Sequence, residues 1–409
     1  MFSLLPDLAV VAYQRVPVFQ HVIAVAVPVL LLQLPPVFWR KYVAVVVLTV
    51  VYYALSLIQL DLHPALLYFQ SASLVVAYAL FLDLFLVSEF PDKTDHQPNK
   101  ESLRYVTELK AFSWEKLDWA LRRCSYVVRG TGWTISARSK PTSGPTFTSK
   151  SKLIAHILKP YLWQLAVCAC CKQYLSSFQY VRHFGRDPDF PSILHETTDP
   201  VRLLLACACM AFQTYLAIGF FCNTAIVAAL LVGLYGPEEY APIFDIGHFF
   251  KDPSLHAFWS QVWHQLLFRN YSLCRGMTDR LFGKNCLGKF VAIGLTFALG
   301  GLSHWFGNSK LAWYRETNDP AYRTFLVFIY FFATLALETG WNRLFASQIS
   351  WLPKPVRKAC SIVWFLAVQI PAMFVIYHDV LRGGLLGGEK LTWQSLLDQM
   401  NEEVDRFRK

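Results

Sequence analysis

The sequence predicts an all-α, multi-pass integral membrane protein of about eight spanning helices, and three observations predict it. First, 55% of the 409 residues are hydrophobic and only 16% are charged, with a mean hydropathy of +0.34; a soluble domain carries about 25% charged residues. Second, apolar runs long enough to cross a hydrocarbon core about 30 Å thick recur along the chain. Third, Lys and Arg collect between those runs, as the positive-inside rule and an anionic leaflet require.

The expected spans are Val16–Leu34, Tyr42–Leu60, Pro64–Val87, Leu153–Cys171, Val201–Gly236, Lys289–Trp305, Thr324–Glu338 and Cys360–His378. The fifth is long for one straight crossing. It reads as a single tilted helix, or as two helices broken near Gly219–Asn223, and charge placement favours one crossing, or one crossing plus a re-entrant piece. Arg40 and Lys41 follow the first span, and Arg122, Arg123, Arg129 and Arg138 lie in the segment 89–152. Alternation then puts the N-terminus in the lumen and 89–152 in the cytosol, together with Arg269, Arg275, Arg280 and Lys284. Asn270-Tyr271-Ser272, the only glycosylation sequon, is expected to go unused on that side.

Within 89–152, Trp114, Leu117, Leu121 and Cys124 recur at helical spacing beside Lys116, Arg122 and Arg123. This predicts a basic amphipathic helix lying on the membrane surface, followed by a flexible Pro141–Ser151 linker. The whole chain, 1–409, is expected to form one integral domain. No basic n-region or small-residue cleavage site opens the chain, so the first span is expected to serve as its targeting signal. The expected membrane is the endoplasmic reticulum. The ten cysteines sit largely in apolar runs and read as packing residues rather than a disulfide framework or metal site. The net charge of +10 comes without any nucleic-acid-binding motif, and no nucleic-acid partner is expected.

Two segments carry candidate chemistry. In Leu302-Ser303-His304-Trp305 an ionisable side chain lies in an apolar run, where such a group is costly. A helical side chain leans over the preceding turn, which here holds Gly300 and Gly301, so the glycines are expected to open space beside the imidazole. The alternative is a histidine hydrogen-bonded at a helix end, with the glycines serving helix packing. The second segment, 254–268, is expected to be an amphipathic helix capped by Ser254. Its apolar face would be Leu255, Phe258, Trp259, Val262, Trp263 and Leu266, flanked by His264. An interfacial helix anchored by tryptophan is the plainer reading.

Taken together, Phe258-Trp259-Ser260-Gln261-Val262-Trp263-His264-Gln265, Ala298-Leu299-Gly300-Gly301-Leu302-Ser303-His304 and Arg129-Gly130-Thr131-Gly132-Trp133 resemble elements of the membrane-bound O-acyltransferase (MBOAT) superfamily. The likeness is to its wax-synthase-like branch, and most to relatives in fungal secondary metabolism that acetylate terpenoid or meroterpenoid hydroxyls. Ser-Gln-Val after Trp259 departs from the Gly-Arg-Arg type of the wax synthases. The resemblance implies an MBOAT-like bundle with a catalytic segment at 254–304. It implies acyl transfer from acetyl-CoA, or another acyl-CoA as co-substrate, to a lipophilic alcohol, with no resident cofactor and no metal. His304 is then the general base, which can contribute about 10²–10⁴ in rate. His264 is its partner, orienting substrate or donating to the oxyanion. Trp259, Trp263, Gly300, Gly301 and Asn308 are the expected substrate contacts, with Asn308 also fixing the tautomer of His304. Arg269 and Arg275 are the expected CoA contacts. Long-chain ester synthesis from a fatty acyl-CoA is the alternative.

Other signals are weaker. His195-Glu196-Thr197-Thr198-Asp199 spells an HxxxD phrase of soluble acyltransferases, without their second motif. Asp187-Pro188-Asp189 lacks the second acidic element of a prenyltransferase. Asp83, Gln213, Asn223 and Gln369 would suit a transporter path, but no inverted repeat accompanies them.

Overall fold

The computed structural model describes residues 18–35, 37–58, 64–87, 110–125, 147–182, 193–234, 236–237, 240, 242–244, 246–263, 268–318 and 321–384. Among these residues there is no strand. Ten longer helices carry the fold: α1 (Val18–Gln33), α2 (Arg40–Leu57), α3 (Pro64–Leu82), α4 (Trp114–Ser125), α5 (Lys150–Leu175), α6 (Pro200–Leu231), α7 (Phe268–Phe282), α8 (Cys286–Ser309), α9 (Arg323–Leu344) and α10 (Lys354–Arg382). Seven of them, α2, α3, α5, α6, α8, α9 and α10, are long and apolar enough to cross a membrane, and α1 is a shorter apolar helix. Among the described residues, each of the eight expected spans is largely helical. The fifth is one unbroken helix of 32 residues, about 48 Å long at 1.5 Å per residue, with no break at Gly219–Asn223.

The helix surfaces match a hydrocarbon solvent. On α2, Ala44, Leu48, Tyr52 and Leu55 are buried, whereas Val46, Val50, Tyr53 and Leu57 on the opposite side are each more than 60% exposed. An exposed apolar stripe of that length is a liability in water and the normal state against lipid.

Helix α8 is the hub of the bundle and packs along α3, α7 and α9. Glycines set how close its neighbours come. A Cβ at Gly294 would lie 3.0 Å from the Phe332 ring, and one at Gly301 would lie 3.0 Å from both Phe325 and Phe328, all on α9. A Cβ at Gly307 would lie 2.8 Å from Cδ2 of Tyr68 on α3. Backbones that approach this closely gain contacts that bulkier residues forbid. Helices α5, α6 and α10 extend the bundle on another side, joined through Leu175, Phe178, Tyr180, Met210, Phe374 and Tyr377.

Three expectations are corrected. The buried face of α4 does not include Trp114: Trp114 is 85% exposed, while Trp119 and Ala120 are fully buried. With Leu117, Leu121 and Cys124 they dock on the α1–α3 core, and the buried Lys116 donates to the carbonyl of Leu34 at 3.2 Å, as Arg40 does at 3.0 Å. The span at Lys289–Trp305 is extended at both ends, so His304 lies inside α8 rather than at its tip. The 254–268 segment is not one helix: a single α turn, Leu255–Ala257, passes into a π turn, Phe258–Val262, and Trp263 leaves it in an extended conformation. All ten cysteines are free thiols. The Arg129–Trp133 phrase lies outside the described residues.

A Cβ at Gly340 in α9 meets nothing within 4 Å. Gly340→Ala is therefore expected to stabilise the detergent-purified protein by about 0.5–1 kcal/mol. Gly294→Ala, which must displace Phe332, is expected to lower the unfolding temperature in the same thermal assay.

Candidate active site

His304 is partly buried within α8. Its Nδ1 is hydrogen-bonded to the hydroxyl of Tyr68 on α3, and its ring lies 4.8 Å from that of Phe328 on α9. Three helices thus hold one imidazole. Tyr68 reaches it because Gly307, one turn further along α8, leaves room for the tyrosine ring against the helix backbone. Nothing in the local sequence joins Tyr68 to His304; they are 236 residues apart. With Nδ1 engaged, only Nε2 is left to face a substrate.

The glycines before His304 have another use than expected. The space over Gly301 is filled by Phe325 and Phe328, so it is a packing contact with α9 and not an open gap. Gly300 is buried, and its carbonyl accepts from Ser303 Oγ at 2.7 Å. Asn308 is also turned to another task. Its Nδ2 donates to Thr324 Oγ1 at 3.2 Å and to Asp379 Oδ2 at 3.4 Å, and Thr324 donates to the same carboxylate. Asn308 therefore ties α8 to α9 and α10, while Tyr68 fills the place expected of it beside His304.

Trp259 lies one aromatic layer away from His304. Its ring packs at 4.7 Å on Phe331 and 5.3 Å on Phe297, and Phe331 packs on Phe328 at 6.1 Å. Its buried indole N–H has no hydrogen-bond partner among the described residues. Trp263 stacks on Phe258 at 5.5 Å and meets Phe244 at 5.4 Å. His264 lies outside the described residues, as does the side chain of Arg269. Arg275 is ion-paired with Asp279 at 2.7 Å.

A buried carboxylate anchors this segment. Glu338 on α9 accepts the backbone N–H groups of Leu255 and His256, each at 3.1 Å, and Ser254 Oγ accepts that of Ala257 at 3.1 Å. The orphan N–H groups of a helix start are thereby satisfied, and a carboxylate there is further favoured by the helix dipole. The cap fixes where the π turn begins and so where Trp259 and Trp263 stand. Glu338 ended a span in the sequence reading; its role was missed because its partners lie 83 and 82 residues earlier. Its one legible signal was a carboxylate in an otherwise apolar run. Asn270 was also read only as a sequon. It is fully buried, and both polar atoms of its amide have no partner among the described residues, so the folded chain has no room for a glycan there.

The competing HxxxD phrase has a structural account. Asp199 caps α6 by accepting from Val201 N at 2.9 Å, and Glu196 accepts from the backbone N–H groups of Gln179 and Tyr180.

Residues 240–332 match the model of the Membrane bound O-acyl transferase family. The matched stretch runs through the tryptophan segment and α8 into α9, and it contains both His264 and His304. No curated protein and no solved structure matches the chain.

Gly307→Ala is expected to push Tyr68 off His304 and to cost about 1–3 kcal/mol of stability as overpacking does, measured by thermal unfolding in detergent. Glu338→Ala, which strips two buried N–H groups of their acceptor, is expected to cost more than Glu338→Gln, which keeps one; tryptophan fluorescence should report the loosened segment in the first variant and not in the second.

Proposed function

We propose that the protein transfers an acyl group from acyl-CoA to the hydroxyl of a lipophilic alcohol, with His304 as general base. The observation that carries this is the Tyr68–His304 hydrogen bond inside an apolar three-helix junction, in the part of the chain that matches the acyltransferase family. In the tautomer whose Nδ1–H donates to the Tyr68 oxygen, Nε2 keeps its lone pair. That nitrogen takes the proton as the alcohol oxygen attacks the thioester carbonyl. The C–O bond forms, the C–S bond breaks, and CoA leaves as the thiol after receiving the proton.

His264 is the proposed second histidine, orienting the alcohol or donating to the oxyanion. Trp259 and Trp263 are proposed substrate contacts, and the buried N–H of Trp259 suits a carbonyl oxygen. Arg269 and Arg275 are proposed to meet CoA phosphates, for which Arg275 would exchange Asp279. Gly301 brings α9 to the imidazole, and Gly300 beside it is proposed to border the substrate. Acetyl-CoA as donor and a terpenoid or meroterpenoid hydroxyl as acceptor are the finer reading, supported by the resemblance of the Phe258–Gln265 and Ala298–His304 elements. A long-chain fatty acyl-CoA is the alternative on the same chemistry.

The test is acyl-CoA consumption by membranes bearing the protein, with a panel of donors and lipophilic alcohols, followed by mass spectrometry. His304→Ala is expected to lower kcat by about 10²–10⁴. Tyr68→Phe, which keeps the ring but frees Nδ1, is expected to lower kcat about tenfold with KM nearly unchanged, the loss of one hydrogen bond. Undiminished turnover in His304→Ala would refute the assignment.

A further inference from the structure

A cavity of about 200 Å³ lies between α5, α6, Tyr240 and residues 242–244. Its apolar wall is Ile157, Pro160, Leu216, Ile243 and Phe244. Its polar groups are ordered rather than scattered. Asn223 Nδ2 on α6 donates to the Tyr161 hydroxyl on α5 at 2.9 Å. Gln164 on α5 and Tyr215 on α6 also line the cavity. Tyr161 is thus held in place by an amide from the facing helix and, having accepted, keeps its proton to give. Pro160 has no N–H, so the carbonyl of His156 one turn earlier lacks its usual helical partner, and both residues line the cavity. Gly219 leaves the remaining wall low: a Cβ there would stand 3.9 Å from the Tyr161 hydroxyl and 4.0 Å from Phe244, in ordinary contact.

We infer that this cavity is a binding site for a small oxygenated lipophile, one ring in size, whose hydroxyl accepts from Tyr161 and donates to the His156 carbonyl. Size supports a ring: a dry cavity of roughly 150 Å³ accepts benzene, and drug-sized ligands need roughly 300 Å³ or more. Chemistry supports a hydroxyl, which both gives and takes a hydrogen bond through one small atom. Access supports a membrane-borne ligand, since α5 exposes Leu158, Trp163, Leu165 and Val167 on its outer side. The site is separate from His304 but adjoins its surroundings through two aromatic contacts. Phe244 meets Trp263 at 5.4 Å, and Phe221 on α6 meets Phe69, next to Tyr68, at 4.3 Å. The inference stands apart from the acyl-transfer reading, because it is argued from the cavity alone.

The experiment uses the full chain in detergent and a cyclohexanol whose ring carries a spiro-diazirine. After irradiation, labelled peptides are mapped by mass spectrometry, in the wild type and in His304→Ala. The expected result is saturable labelling within 156–164 and 215–223, competed by cyclohexanol and not by cyclohexane, and equal in the two proteins. Tyr161→Phe, which keeps the ring and removes the donor, is expected to weaken the apparent affinity about tenfold, and Gly219→Leu, which fills the space, to abolish labelling. Gly219→Ala should label normally and shows that the backbone tolerates substitution. Labelling that does not saturate, that spreads over the lipid-facing residues Leu165 and Val167, or that survives Gly219→Leu would overturn the inference, whatever the turnover of acyl-CoA proves to be.

Discussion

Three helices can stand around one imidazole only if their axes come unusually close, and side-chain volume normally forbids it. In this chain the constraint is met by removing side chains from α8 at Gly294, Gly301 and Gly307. Two of these admit the phenylalanines of α9, and the third admits Tyr68 of α3. The placement of the rest follows. Phe328 rests on the His304 ring, Phe331 on Phe328, and Trp259 on Phe331. Because the interior is close-packed, a shift at one ring is felt by the next, so the imidazole and the tryptophan segment form one mechanical unit.

Polar groups then fix what packing alone leaves free. Glu338 holds the start of the α turn that leads into the π turn, and Asp379 gathers Asn308 and Thr324 into one network across α8, α9 and α10. Buried carboxylates are costly in apolar surroundings unless hydrogen-bonded. Here each accepts from donors on another element, so each also records which elements must meet. The donors on Glu338 are backbone groups, which only a substitution by proline would remove.

Much of the fold was legible in hydropathy, because length and apolarity alone decide whether a helix can span. His304 was legible too, since an ionisable residue in such a run stands out. The rest was hidden for physical reasons. Tyr68 looks like any aromatic in α3 until tertiary packing brings it to His304. Gly300 and Gly301 were compatible with either a gap or a close contact, and only the position of α9 decides for contact at Gly301. The π turn at Phe258–Val262 escaped because apolar spacing over so few residues fits a helix of either pitch. The buried face of α4 was misjudged because Trp114 and Trp119 are equally apolar, and the docking of α4 on α1 selects the second.

That π turn carries one residue more than an α turn would need for the same rise. Such a turn is what a single inserted codon leaves in a helix that could not otherwise absorb it. Removing one residue from Phe258–Val262 would let the turn close as α-helix and swing everything after it by about 100° around the axis. Trp263 would leave Phe244, and the aromatic wall shared by the tryptophan segment and the α5–α6 cavity would come apart. Length in this short stretch is therefore under tighter restraint than residue identity, and related chains should vary in its letters before they vary in its count.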